Sequence, residues 1–123
     1  MNSEITTPKR GEIWRVNFDP TLGTEIKKTR PAVVISSDAV GRLPIKLVAP
    51  ITDWKNYFSN NLWLVKVFST DKNGLSKTST VDTLQLRGID TQRFVKKLGT
   101  IDEITMEEIL LAIAAVIEFP VFS

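Results

Sequence analysis

The chain has 123 residues, 42% hydrophobic and 24% charged, which suits one soluble globular domain with a single core. It contains no cysteine and no histidine, which excludes disulfides, thiolate and histidine catalysis and any ordinary zinc site. The net charge of +2 is uneven: residues 1–101 hold sixteen basic and nine acidic side chains, whereas residues 102–123 hold five acids and no base, so a polyanionic partner is expected on the body of the chain.

The polar residues 1–9, ending Thr7-Pro8-Lys9, read as a frayed arm before a single domain over 10–123. Met1-Asn2-Ser3-Glu4 has no basic n-region and no apolar h-region, so no signal peptide is expected, and the longest apolar stretch, Ile109 to Ile117, is shorter than the roughly 20 residues that span a bilayer. A cytoplasmic protein without membrane contact is expected. From Gly11 the pattern turns to strands. Trp14, Val16 and Phe18 alternate with Ile13, Arg15 and Asn17, and Asp19-Pro20 and Gly23 break the run.

Between that strand and the next lies Gly23-Thr24-Glu25-Ile26-Lys27-Lys28-Thr29-Arg30-Pro31, with four ionisable residues in the six from Glu25 to Arg30. A charged loop held by a sheet is a common seat of binding and catalysis. Pro31 biases Arg30 to an extended backbone, and a guanidinium grips phosphate in two-point geometry. Ala32 to Ser36 follows as a central strand buried on both faces, then a turn-rich stretch from Asp38 to Pro44 that includes Gly41. Further strands are predicted over Ile45–Thr52, from Leu62 to Phe68, over Thr80–Leu86 and briefly over Leu98–Ile101, with a turn at Lys72-Asn73-Gly74. A short helix is predicted over Asp90–Lys97. A longer one starts from the capping box Thr105-Met106-Glu107-Glu108 and carries Met106, Ile109, Leu110, Ile113, Ala114 and Ile117 at helical spacing. It is apolar nearly all round, so it is buried either wholly within one chain or partly against a second copy. Antiparallel strands with short connections and a terminal helix predict a small barrel or curled sheet.

The block Arg10-Gly11-Glu12-Ile13-Trp14-Arg15-Val16-Asn17-Phe18-Asp19-Pro20 with Gly23-Thr24-Glu25 resembles the opening of the MazF/PemK toxin family. Thr29-Arg30-Pro31-Ala32-Val33-Val34-Ile35, Ala49-Pro50-Ile51-Thr52, Gly74-Leu75-Ser76-Lys77, Leu84-Gln85-Leu86-Arg87 and Leu98-Gly99-Thr100-Ile101 resemble its later motifs, in order. The resemblance implies an SH3-like small barrel of antiparallel strands plus a C-terminal helix, shared with CcdB-like toxins. It implies a homodimeric toxin that cuts single-stranded RNA without metal or cofactor and is silenced by a cognate antitoxin, through which alone it would meet operator DNA. It places the active arginine on Arg30 and the active hydroxyl on Thr52, and lines the RNA groove with Thr24, Glu25 and Gln85. Leu84 stands where the family carries an acid.

RNA brings its own nucleophile, the 2′-hydroxyl, so alignment and charge stabilisation suffice for much of the rate. Arg30 would bind the phosphate, Thr52 would hydrogen-bond it, and Glu25 is the candidate proton acceptor. Lys27, Lys28 and Arg87 are candidate RNA contacts. Trp54 either stacks on a base or packs in the fold. Two other readings stay open at this point: a CcdB-like toxin that poisons a protein such as gyrase, and a non-catalytic RNA- or protein-binding module.

Overall fold

The computed structural model describes residues 7–40 and 43–120; the first six residues of the arm expected over 1–9, residues 41–42 and the final three lie outside them. Seven antiparallel strands, β1 (Glu12–Asn17), β2 (Thr29–Val34), β3 (Ile45–Asp53), β4 (Leu64–Val67), β5 (Ser79–Asp82), β6 (Arg87–Asp90) and β7 (Phe94–Thr100), precede one helix, α1 (Glu103–Val116). The strand order is β4-β5-β3-β2-β1-β7, with β6 pairing the first half of β3 while β5 pairs its second half. This is the expected mostly-β fold with a C-terminal helix.

Side-chain alternation along the central strands divides the core in two. Ile13, Val33, Ile35, Ala49, Ile51, Val65, Val67 and Val81 form one cluster with Ile109 and Ala112 of α1. Val16, Phe18, Ala32, Val34, Val48 and Ile89 form the other, on which Trp14, Ile26 and Phe94 pack. Thus Ala32 to Ile35 are buried on both faces, as their unbroken apolar run predicts.

Three local expectations are corrected. Asp90–Lys97 is not a helix. Asp90 caps one 3₁₀ turn, Thr91–Arg93, and the chain then enters β7, where Phe94 pairs with Val16 and meets Trp14 edge to face at 5.8 Å. Pairing with β1 and burial against Trp14 outweigh a weak helical pattern. Arg87–Asp90, unforeseen as a strand, pairs with Ile45–Val48. The strand expected over Thr80–Leu86 stops at Asp82, whose carboxylate caps a second 3₁₀ turn, Thr83–Gln85, so Gln85 sits on a turn.

The long helix begins three residues earlier than the capping box suggests. Asp102 Oδ1 accepts the Thr105 N–H at 2.7 Å, which holds the Asp102 carboxyl below its usual range. Of its apolar residues only Ile109, Ala112 and Ala114 are buried; Leu110, Leu111 and Ile117 are exposed on the single chain.

Candidate active site

The β1–β2 connection is tied at both ends. The Phe18 N–H donates to the Lys28 carbonyl at 2.9 Å, and the Lys28 N–H donates to Asp19 Oδ1 at 2.9 Å. Lys28 adopts φ 68°, a left-handed conformation unusual for a non-glycine residue, which turns the chain back into β2. Arg93, from the 3₁₀ turn, donates to the backbone carbonyls of Asn17 and Asp19. At the tip, Glu25 Oε1 accepts the Leu22 N–H at 2.7 Å, while Ile26 packs on the second core cluster.

Gln85 crosses 59 residues of sequence to hold this loop. Its Oε1 accepts the Ile26 N–H at 2.5 Å and its Nε2 donates to the Thr24 carbonyl at 3.3 Å. Asp82 orients that amide, with Oδ2 3.4 Å from Gln85 Nε2 and Oδ1 accepting the Leu84 N–H at 3.1 Å. Burial raises the Asp82 carboxyl above its usual range, against the lowering effect of those hydrogen bonds.

Arg30 and Thr52 meet at one end of the β2–β3 pair. Ala32 pairs with Pro50 and Val34 with Val48; Arg30 lies two residues before Ala32 and Thr52 two after Pro50, at the same end of that ladder. Alternation puts both on the face that holds Ala32, Val34 and Val48. Both line a cleft of about 190 Å³, with Arg15, Asp53, Ser76 and Lys77 around it. Arg30 is exposed, and its Nε donates to the Lys27 carbonyl at 3.4 Å. Lys77 and Asp53 form a 3.0 Å ion pair between exposed side chains.

Thr24, Glu25, Gln85 and Arg87 line a neighbouring cleft of about 380 Å³ whose walls include Phe18, Ile26, Leu84 and Leu86. Pro50 lies in this second cleft and Thr52 in the first, two residues apart on one strand. Hence Arg30 and Thr52 share one cleft and the expected groove residues share the next. Glu25 belongs to the second; the carboxylate lining the first is Asp53. The Arg87 guanidinium lies 5.7 Å from the Phe18 ring centroid. Lys27 and Lys28 are exposed on the loop but line neither cleft.

Trp54 follows Thr52 by two positions yet packs edge to face on Phe58 at 5.8 Å, with the Lys66 ammonium 5.0 Å from its ring. Arg15, Asp53, Lys77 and Asp82 were not singled out as site residues. Arg15 stood on the outward positions of the first strand and Lys77 closed the motif Gly74-Leu75-Ser76-Lys77, but only folding shows that both border Arg30. Among the described residues no three of His, Cys, Asp or Glu gather as metal ligands.

Residues 9–117 match the family described as the PemK-like, MazF-like toxin of type II toxin–antitoxin systems. The chain is 38% identical over 106 residues to endoribonuclease PemK of Escherichia coli, covering 83% of this chain and 76% of that protein. It is 34% identical over 113 residues to the endoribonuclease toxin ChpB of Escherichia coli K12, covering 89% and 94%. In fold it resembles the crystal structure of MazF from Deinococcus radiodurans, with TM-score 0.76, 20% identity and coverage of 93% and 99%. It resembles equally a mycobacterial endoribonuclease solved in complex with its cognate antitoxin, with TM-score 0.74, 17% identity and coverage of 93% and 98%. With nearly its whole length matched by the family and Arg30 and Thr52 brought to one cleft, the chain belongs to the PemK-like, MazF-like toxins of type II toxin–antitoxin systems.

Proposed function

We propose that the chain is an endoribonuclease toxin that cuts single-stranded RNA in the cytoplasm without a metal and is neutralised by a cognate antitoxin. The observation that carries this reading is that Arg30 and Thr52 line one cleft whose walls also carry Arg15 and Lys77. Its relatives PemK and ChpB are named endoribonucleases, which supports the same reaction class.

The RNA 2′-hydroxyl gives up its proton and attacks the adjacent phosphorus, the P–O5′ bond breaks, and the leaving oxygen takes a proton from water, giving a 2′,3′-cyclic phosphate and a 5′-hydroxyl. Arg30 binds the phosphate and stabilises the charge that develops on its oxygens. Thr52 donates to one of those oxygens and fixes the in-line geometry. Glu25, at the rim of the next cleft, is the proton acceptor of this scheme, acting with the oxygen that Leu22 leaves free. The second cleft, apolar in its walls and edged by Gln85, Arg87 and Thr24, receives the flanking base; Lys27 and Lys28 meet the backbone beyond it.

The open apolar face of α1 packs against a second copy in a homodimer, and an acidic antitoxin segment competes for the basic groove. The test is a 5′-labelled RNA incubated with purified protein in excess EDTA. Expected are fragments with cyclic phosphate ends and, for Arg30→Ala, cutting slower by roughly 10²-fold or more. An all-deoxy strand that is cut at a comparable rate would sink the proposal.

A further inference from the structure

Thr80 stands directly opposite Thr52 in the β3–β5 ladder, with Lys66 of β4 on its other side. The two threonines therefore share a face, and residues so paired have Cβ atoms about 5 Å apart. One turn of χ1 brings their hydroxyls within hydrogen-bond reach. Thr80 is completely buried, and its Oγ1 has no hydrogen-bond partner among the described residues. A buried hydroxyl without a partner costs stability, and valine would fill the same space without that cost. The neighbouring Thr83 hydroxyl, by contrast, donates to the Trp63 carbonyl at 2.7 Å.

We propose that Thr80 is a positioning residue for the Thr52 hydroxyl. Resting on the reading of Thr52 given above, the Thr80 O–H donates to Thr52 Oγ1 once substrate is bound, while the Thr52 O–H donates to the phosphate. A hydroxyl can accept and donate at once, and such chains strengthen each member. The hydrogen bond left unmade in the free protein is made when Thr52 turns to the phosphate, so Thr80 aids the chemical step without touching RNA. Its effect falls on kcat and not on KM, because the bond forms with the aligned phosphate and not with the RNA as first captured.

The experiment compares Thr80→Val, Thr80→Ser and wild type by kcat, KM and Tm on one oligoribonucleotide, and repeats Thr80→Val in a Thr52→Val background. Expected for Thr80→Val is kcat lower by about tenfold with KM within about twofold and Tm unchanged or raised. Thr80→Ser keeps the hydroxyl and recovers kcat, whereas Thr80→Val adds nothing once Thr52 is valine. Full kcat in Thr80→Val, or the same loss in the Thr52→Val background, overturns the proposal. Should Thr80→Val lower Tm, Thr80→Ala against Thr80→Ser decides instead, and equal kcat for those two overturns it. If the wild type cuts no RNA, the endoribonuclease reading falls and takes this role with it. If the wild type cuts and Thr80→Val cuts equally fast, only the role of Thr80 falls.

Discussion

Replacing Gln85 by alanine releases the loop that carries Thr24 and Glu25. The side chain makes one short bond, to the Ile26 N–H at 2.5 Å, and two longer ones, to the Thr24 carbonyl and Asp82 at 3.3 and 3.4 Å. A neutral bond contributes about 1 kcal/mol net, and the longer pair adds a fraction of that at such distances. The local cost of opening the loop then falls by about 1.4 kcal/mol, a tenfold change in the opening constant. Amide hydrogen exchange reads this directly: the Ile26 N–H in Gln85→Ala exchanges about tenfold faster than in wild type. Val33, in the central β2, keeps its protection as the internal control. Because the loop walls the second cleft, KM for RNA rises by a similar factor. Ile26 exchange within twofold of wild type refutes the idea that Gln85 holds the loop.

Other outcomes follow from the same contacts. Glu12, 7% exposed, accepts from Trp14 Nε1 and the Lys9 N–H at 2.9 Å and pairs with Lys97 at 3.1 Å. Burial opposes its ionisation, but these partners together hold its carboxyl below the usual range. Its stabilisation is present above the unfolded-state value and is lost as pH falls through the folded one; Glu12→Gln lowers Tm at neutral pH by roughly 10 °C and flattens that acid limb, as calorimetry against pH will show. Asp82 has the opposite sign. Its raised carboxyl favours the fold below the unfolded-state value and loses that support as pH rises, so Asp82→Asn raises Tm at pH 7 and not at pH 3. Gly74 has φ 68°, and a Cβ there would stand 2.1 Å from the Leu98 carbonyl oxygen; Gly74→Ala costs roughly 3 kcal/mol or more in chemical denaturation.

The sequence made the strands legible where alternation was strong, as at Trp14, Val16 and Phe18, and where an apolar run was unbroken, as at Ala32 to Ile35. It failed where a distant partner decided the outcome. Nothing local in Phe94-Val95-Lys96-Lys97 says strand; the partner is β1, some 80 residues earlier. The capping error has a smaller cause, since Asp102 and Thr105 are both good N-caps three residues apart and only packing chooses between them. For the site, the family resemblance pointed to Arg30 and Thr52, and the pairing of β2 with β3 explains why two residues 22 apart in sequence share a cleft. Glu25 was read as part of the same centre because it lies in the same loop as Arg30. In the fold it lines the neighbouring cleft with Gln85 and Pro50, so the proton transfer proposed for it bridges the two clefts. Thr80 was invisible because its meaning lies in what it faces.

The backbone bond from Phe18 to Lys28 has one further consequence. It closes residues 18–28 into an insert whose two ends stand side by side on β1 and β2, while Arg30 and Thr52 belong to the sheet outside it. Such an insert can be exchanged as a cassette. Grafting the corresponding segment of a relative, with its matching residue at Gln85 and with Glu25 kept, will move the RNA word that is cut and leave the ends of the fragments unchanged.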